Sequence, residues 1–249
     1  MLQQTQVERV VPKWFDFLER WPTPARCAAA PLGDVLSQWQ GLGYPRRAKN
    51  LHAAAVEIVR LGDFPRLLGG LLELPGVGPY TARAVLAFAF ERDVAIVDTN
   101  VARVLARVAN RRLTAQQAQA AADALVPSGE GWFWNQAMLD VGARLCRPRA
   151  AKCTECPLRV FCVWHGGGNA APDPAIGSAG VSVAQARFEG SDRQARGRLM
   201  KRLTSGAIAS ADAARIMGRT GDAMRARRVV ATLVADGLVV ERDDRLSLP

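Results

Sequence analysis

The sequence predicts an all-α body followed by a small module of helices and one β-hairpin. Through about residue 165, apolar residues recur at three- and four-residue spacing, and strand-like alternation is nearly absent. From Gly166 to about Ser182 the composition shifts to Gly, Ala, Pro and Ser, which is typical of a flexible linker. Shorter periodic segments follow, so we expect a second, smaller unit at the carboxyl end.

Each predicted helix of the body shows apolar periodicity and ends at a short breaker. The first begins at Val7, and its apolar positions continue through Trp14 to Leu18. The later helical stretches are Leu36–Trp39, Arg47–Leu61, Tyr80–Phe90, Val101–Val108, Ala115–Leu125 and Trp134–Leu145. Turns rich in proline and glycine lie between the helices, near residues 23, 42, 77 and 128.

The tail predicts two or three helices and a hairpin. Its last helix is Ala223–Ala235, after which an Asp243-Asp244 turn joins two short apolar segments. This order indicates a winged-helix-like module. We therefore divide the chain into a body at 1–164, a linker at 165–186 and a module at 187–249. The module is expected to be a DNA-tethering or structural appendage.

Composition excludes several classes of protein. The chain has 249 residues, of which 49% are hydrophobic and 22% charged, as in ordinary globular proteins. These values exclude a disordered chain, a coiled coil and a collagen-like repeat. No apolar run approaches the roughly 20 residues of a membrane-spanning helix, and the first residues show no signal-peptide pattern. We expect a cytoplasmic protein.

The charge balance indicates a polyanionic partner. The formal net charge is +10, with 33 Lys and Arg against 23 Asp and Glu. Such a surface attracts nucleic acid because neutralised phosphates release their counterions. An Arg-rich genome would give the same charge balance, so charge alone does not distinguish a nucleic-acid-binding protein from an ordinary protein of such a genome.

Four of the five cysteines lie within 17 residues, at Cys146, Cys153, Cys156 and Cys162. Clustered thiols in a cytosolic protein favour a metal centre over disulfides. Four thiolates suit an iron–sulfur cluster or a tetrahedral zinc. Only Cys153 and Cys156 have the usual zinc spacing, so the wider gaps favour a [4Fe–4S] cluster; zinc and four unrelated cysteines are the alternatives.

Two further segments could carry chemistry. Gly76-Val77-Gly78 joins two predicted helices, and the new helix would present unpaired backbone amides to an anion. The turn reads as a clamp on the DNA backbone in a helix-hairpin-helix, or as a tight helical connection. Asp98 ends an apolar run, with Asn100 two residues later. In isolation it would simply cap the next helix.

In combination these motifs resemble the MutY family of adenine DNA glycosylases in the helix-hairpin-helix superfamily. The resemblance covers about residues 1–164. The matching segments are Leu2-Gln3-Gln4-Thr5-Gln6, Gly41-Leu42-Gly43-Tyr44, Leu74-Pro75-Gly76-Val77-Gly78, Val97-Asp98-Thr99-Asn100, Asn135-Gln136-Ala137-Met138 and the four cysteines. The resemblance implies a helix-hairpin-helix glycosylase body with a cysteine-ligated iron–sulfur loop.

The resemblance also implies a reaction and a partner. Members of the family flip adenine mispaired with 8-oxoguanine, or with G, out of duplex DNA and hydrolyse its N-glycosidic bond. The expected partner is double-stranded DNA that contains a mispaired adenine, and the expected protein is a monomer.

Individual roles follow from the matched positions. Gln4 and Tyr44 match residues that intercalate around 8-oxoguanine, Thr5 matches a contact to that base, and Gln3 lies in the same DNA-binding segment. Gly76, Val77 and Gly78 match the phosphate clamp. Asp98 matches the catalytic carboxylate, with Asn100 and Tyr80 as supporting residues in the pocket.

Position 80 distinguishes two kinds of enzyme within the superfamily. Bifunctional relatives such as endonuclease III carry a Lys there, which forms a Schiff base and nicks the strand. Because this chain has Tyr80, we expect little or no lyase activity.

Two features depart from the family. Its general acid is a Glu two residues before the position of Met1, outside the printed chain. We expect the chain as printed to excise adenine poorly, and we favour a start codon assigned too far downstream over a degenerate gene or a shortened chain. The family also usually ends in a larger, Nudix-like domain that checks for 8-oxoguanine. Here either the small module or the body alone would do so.

Two other functions stay open from the sequence. One is a catalytically silent lesion-binding or DNA-binding protein that kept the cluster and the hairpin. The other is a glycosylase of different mismatch specificity, such as G:T or uracil mismatches.

Overall fold

The computed structural model describes residues 1–3, 5–178 and 187–249, and it confirms a mostly helical chain with a small sheet near its carboxyl end. The helices are α1 Val7–Arg20, α2 Pro24–Ala28, α3 Leu32–Gln38, α4 Arg46–Leu61, α5 Leu68–Leu72, α6 Pro79–Phe88, α7 Thr99–Val108, α8 Ala115–Asp123, α9 Gly131–Asp140, α10 Val163–Gly166, α11 Asp192–Leu203, α12 Ala213–Ile216 and α13 Ala223–Ala235. None of these described helices is long and apolar enough to cross a membrane.

The sheet has three antiparallel strands in the order β1-β3-β2, with bounds Ile208–Ala209, Arg245–Ser247 and Val240–Arg242 respectively. The predicted hairpin is β2 and β3, where Glu241 pairs with Leu246. Strand β1 was missed because two residues are too short to show alternation.

Helix α9 differs from its predicted bounds at both ends. It begins at Gly131, and a single π-helical turn, Val141–Leu145, continues it. The turn contacts α7 closely, since a Cβ atom added at Gly142 would lie 2.6 Å from the Cβ of Asn100. Glycine therefore permits the backbone to approach the first turn of α7.

Contacts divide the chain into two units. Unit 1 contains Met1–Pro65, Leu74–Gly76 and the described residues 187–249. Its core joins Val35, Leu36 and Trp39 from the amino-terminal helices to Leu199 and Leu233 of the module. The domain boundaries taken from the sequence, and the winged-helix-like character of the module, stay predictions. Within unit 1, the carboxyl-terminal helices and sheet share one core with α1–α4.

Unit 2 contains Arg66–Glu73 and the described residues 77–178. Helix α7 lies at its centre and contributes Val101, Val104 and Leu105 to the core. The same helix buries two arginines, Arg103 at 7% exposure and Arg107 at 3%. Buried guanidinium groups need full hydrogen-bond partners, and those partners organise the site.

Candidate active site

The carboxylate of Asp98 caps helix α7. Its Oδ1 accepts hydrogen bonds from the backbone amides of Asn100 and Val101, both at 2.8 Å. Its Oδ2 accepts a third from Asn100 Nδ2 at 2.9 Å. The cap and the catalytic carboxylate expected from the sequence are therefore compatible, because the capping bonds hold the carboxylate in one orientation.

Tyr80 of helix α6 lies close enough to Asp98 for the two side chains to interact electrostatically. Burial is the larger cause that raises the pKa of the Tyr80 phenol, and the negative charge of Asp98 raises it further. The phenol is therefore neutral at physiological pH and can donate a hydrogen bond. The three predicted pocket residues, Asp98, Asn100 and Tyr80, lie together in unit 2.

Asn135 holds the segment that leads to Asp98. Its side chain is fully buried; Oδ1 accepts from the Ile96 amide at 2.8 Å, and Nδ2 donates to the Val94 carbonyl at 2.8 Å. These two bonds mimic a strand partner for an extended segment. The Asn135 motif thus positions the backbone just before the carboxylate.

Arg103 links Asn100 to the backbone at the first cysteine. It donates to Asn100 Oδ1 at 2.8 Å, to the Gly142 carbonyl at 2.7 Å and to the Cys146 carbonyl at 2.6 Å. The Asn100 amide then donates to Asp98. A continuous hydrogen-bonded path therefore runs from the cysteine segment to the carboxylate within unit 2.

The two glycines of the turn before α6 have different roles. Gly76 has φ +76°, and a Cβ there would lie 2.6 Å from the Cβ of Asn50, so glycine is structurally required. A Cβ at Gly78 would meet nothing within 4 Å. Gly78 is the N-cap of α6, and among the described residues no side chain caps this helix. The first-turn amides of α6 are therefore suited to a phosphate.

Arg47 joins the amino-terminal segment to the Gly41–Tyr44 turn in unit 1. Its guanidinium donates to Thr5 Oγ1 at 2.9 Å, to the Leu42 carbonyl at 2.8 Å and to the Gln3 carbonyl. Thr5 also donates to the Leu42 carbonyl at 3.2 Å. The structure thus brings Gln3, Thr5 and the turn together, whereas Gln4 lies outside the described residues.

Tyr44 ends that turn in a left-handed backbone conformation, with φ +50°. The preceding carbonyl of Gly43 accepts a hydrogen bond from Trp39 Nε1 at 3.1 Å, and the Arg47 guanidinium lies 5.7 Å from the Tyr44 ring centroid. Non-glycine residues in this conformation concentrate at functional sites. The surroundings therefore hold Tyr44 in a strained, partly exposed position.

The four clustered cysteines line one open cavity in unit 2, together with Arg107, Trp164 and apolar side chains. Among the described residues, no three His, Cys, Asp or Glu side chains form the ligand set of one metal ion. Sulfurs spread around a cavity, with cationic and apolar neighbours, fit a bulky anionic cluster by the chemistry of the donors.

Arg107 lies at the wall of this cavity. Its Nη1 is 3.3 Å from Cys146 Sγ, and Nη2 is 2.5 Å from Asp173 Oδ2. Burial raises the pKa of Cys146, and the Arg107 charge opposes that rise. Asp173 in turn anchors part of the segment that the sequence indicated as a linker.

The arginines at the site were missed by the sequence analysis. Arg47, Arg103 and Arg107 are ordinary positions in helical patterns of an Arg-rich chain, so no spacing separates them from surface cations. For Arg103 and Arg107, the one available signal was their place in an otherwise apolar stretch of α7, four residues apart with Val104 and Leu105 between them.

Comparisons with known proteins confirm the family resemblance. Residues 1–128 match the family described as HhH-GPD superfamily base excision DNA repair protein. An adenine DNA glycosylase of Mycolicibacterium smegmatis is 38% identical over 250 residues, covering 98% of this chain and 83% of the relative.

Solved structures agree with the fold. A thermostable thymine-DNA glycosylase has a TM-score of 0.61 and 27% identity, covering 67% of this chain and 80% of its own. A trapped endonuclease III–DNA covalent intermediate has a TM-score of 0.59 and 26% identity, covering 67% and 81%. The region that matches the family, residues 1–128, holds both the hairpin and Asp98.

Proposed function

Because this chain belongs to the HhH-GPD superfamily of base excision DNA repair proteins, and within it to the adenine DNA glycosylases, we propose that it removes adenine mispaired with 8-oxoguanine or G from duplex DNA. The protein acts as a monomer and a monofunctional N-glycosylase. The observation that carries the proposal is the Asp98 carboxylate, fixed by three hydrogen bonds beside neutral Tyr80.

Asp98 stabilises the sugar cation as the glycosidic bond breaks. Loss of a purine resembles glycoside hydrolysis, in which one carboxyl group protonates the leaving group and another stabilises the oxocarbenium-like sugar. Because Asp98 is fixed before the charge develops, little reorganisation is needed in the transition state. Asn100 holds Oδ2 of the carboxylate, and the Tyr80 phenol is available as a neutral donor in the pocket.

DNA reaches this carboxylate only after the target nucleotide leaves the stack. We assign the clamp on the phosphodiester to the Gly76-Val77-Gly78 turn, where the first amides of α6 face the anion. Gln3, Gln4, Thr5 and Tyr44 are assigned to the base left opposite the adenine. The positive net charge of the chain supports the same partner.

The test compares full-length protein with its Asp98→Asn variant on duplexes containing adenine opposite 8-oxoguanine. We expect at least about a 10²-fold loss of single-turnover excision with duplex binding retained. Asp222→Asn is the matched control, because Asp222 caps α13 through the Arg225 amide in the same way. Excision that survives Asp98→Asn would overturn the mechanism.

The same assay separates the two other candidate functions. A wild-type protein that binds the duplex without releasing adenine would be a lesion-binding protein. Faster release of thymine or uracil than of adenine, in matched mispairs, would assign a different specificity. Either result replaces the proposal.

We assign a [4Fe–4S] cluster to Cys146, Cys153, Cys156 and Cys162. When bound, such a cluster supplies a rigid anionic cross-link among its four thiolates. Arg107 would offset that charge, while Arg103 holds the Cys146 carbonyl. Elemental analysis of purified protein should give about four irons and four sulfides per chain; one zinc and no iron would overturn the assignment.

A further inference from the structure

The carboxyl-terminal module brings one arginine to the turn that carries Tyr44. Arg193, in the first turn of α11, donates from Nη1 to the Tyr44 hydroxyl at 3.4 Å. Its Cζ also lies 5.1 Å from the ring centroid of Phe188. Tyr44 is 37% exposed and Phe188 50% exposed, so the three side chains form a surface cluster.

Packing within unit 1 brings together the two segments that carry this cluster. Leu199 of α11 lies in the same core as Trp39 and Leu42 next to the turn. At the far end of α13, the Asp236 carbonyl accepts from Lys49 Nζ at 2.5 Å. These contacts hold α11 and α13 in one core with the turn that carries Tyr44.

The helix that carries Arg193 has a strongly positive surface. Its sequence contains five basic residues and one acid. That acid, Asp192, already lies 2.6 Å from Arg225 and 3.6 Å from Arg219, which belong to other segments. The negative charge on α11 is thus offset from outside the helix, and α11 keeps a net positive charge.

We propose that Arg193 binds a phosphate of the DNA strand that carries the base opposite the adenine. This phosphate lies beside the point where Tyr44 enters the DNA duplex. The guanidinium carries five N–H donors in a fixed fork, and that fork matches the geometry of a phosphate. The module thereby contributes to recognition of the opposite base. This inference rests on the proposed function, which gives Tyr44 its place in the DNA.

The test measures binding by Asp98→Asn protein, so that no excision occurs during the titration. The duplex carries adenine opposite 8-oxoguanine, and the dissociation constant is measured across a series of KCl concentrations. Adding Arg193→Ala should weaken binding about five- to tenfold at low salt. It should also reduce the slope of log K against log[salt] by about 0.9, the value for one lost phosphate contact.

Two further variants separate a specific contact from bulk charge. Arg215→Ala removes an exposed arginine of α12 that pairs with Asp212, and it should leave the slope unchanged. Arg193→Lys keeps the charge and should restore the slope. Because Lys lacks the planar fork, it should leave the preference for 8-oxoguanine over G about threefold weaker.

The coupling to Tyr44 has its own readout. Tyr44→Phe removes only the hydroxyl. Its effect on the preference for 8-oxoguanine over G should be less than additive with the effect of Arg193→Ala. Each variant is first checked by thermal unfolding, and Arg193→Gln replaces Arg193→Ala if the latter melts early.

The outcomes distinguish this inference from the proposed function. If Asp98→Asn protein binds the duplex but Arg193→Ala leaves the slope unchanged, or Arg215→Ala lowers it equally, the inference fails and the glycosylase function stands. If Asp98→Asn protein does not bind the duplex at all, both fail.

Discussion

Arg47 Nη2 lies 2.9 Å from Thr5 Oγ1, so one guanidinium connects two segments that are 42 residues apart in sequence. Through its bonds to the Leu42 and Gly43 carbonyls, the same group fixes the turn before Tyr44. The two segments assigned to the opposite base therefore have a common support. Arg47 is a positioning residue, because its bonds hold the segments that carry Thr5 and Tyr44.

Replacing Arg47 should reduce the discrimination between 8-oxoguanine and G more than it reduces the rate of excision. We expect Arg47→Met to lower the preference for 8-oxoguanine over G about tenfold, since Thr5 and Tyr44 lose their shared support. Single-turnover excision on both mispairs measures the ratio. Arg60→Met, at the exposed end of the same helix, is the control; an unchanged ratio in Arg47→Met would contradict the role.

The two glycines of the hairpin should respond differently to alanine. Gly76→Ala should cost at least about 1–2 kcal/mol of folding free energy, because its left-handed backbone disfavours a Cβ and Asn50 lies in the way. Gly78→Ala should leave the melting temperature nearly unchanged and weaken duplex binding several-fold. Thermal unfolding and binding titrations test the pair, and equal effects on stability would contradict the division.

Tyr80 should titrate above the ordinary value for a phenol. The chain has two tyrosines, so Tyr44→Phe leaves Tyr80 as the single phenol in an ultraviolet titration. Burial and the charge of Asp98 both raise its pKa above 10.0. Adding Asp98→Asn should lower the midpoint only in part, because burial is the larger cause; a midpoint below 10 would contradict this environment.

That raised pKa also sets the sign of a stability change. The native state holds the Tyr80 proton more tightly than the unfolded state does, so its contribution is complete below pH 10. It should decline as the pH rises from 10 through the native pKa. Denaturant unfolding of wild-type and Tyr80→Phe protein across that range should show a steeper decline in the wild type.

Even the substitution Arg103→Lys should be poorly tolerated. An ammonium cannot reach Asn100 and the carbonyls of Gly142 and Cys146 together, so Arg103→Lys leaves buried acceptors unpaired. We expect a loss of about 2–4 kcal/mol in unfolding free energy and slower excision in the folded fraction. Denaturant titration and single-turnover kinetics measure the two effects, and wild-type values for both would contradict the path to Asp98.

The enzyme should leave an intact abasic site. A phenol cannot form a Schiff base with the sugar, so borohydride should trap no covalent complex at Tyr80. Gel analysis of reactions with and without borohydride tests this, with an alkali step to reveal abasic sites. A strongly trapped adduct would assign lyase chemistry to another amine of the chain.

The sequence could predict elements whose signals are local. Ala223–Ala235 was placed by apolar periodicity, and Asp98 by its position before an apolar helix. Spacing alone indicated a cysteine site. What could not be predicted depends on contacts between distant segments, such as Arg47 with Thr5 or Arg193 with Tyr44, because an arginine has the same local pattern wherever its guanidinium points.

Unit 1 is discontinuous, and this has a consequence for synthesis. Helices α1–α4 leave the ribosome before unit 2, but the core around Val35 and Trp39 is completed by Leu199 and Leu233, which follow the whole of unit 2. Contacts of such long range form slowly, and unpaired apolar faces invite aggregation. The nascent protein therefore carries an incomplete core through most of its translation, and unit 2 is free to fold before unit 1 can close.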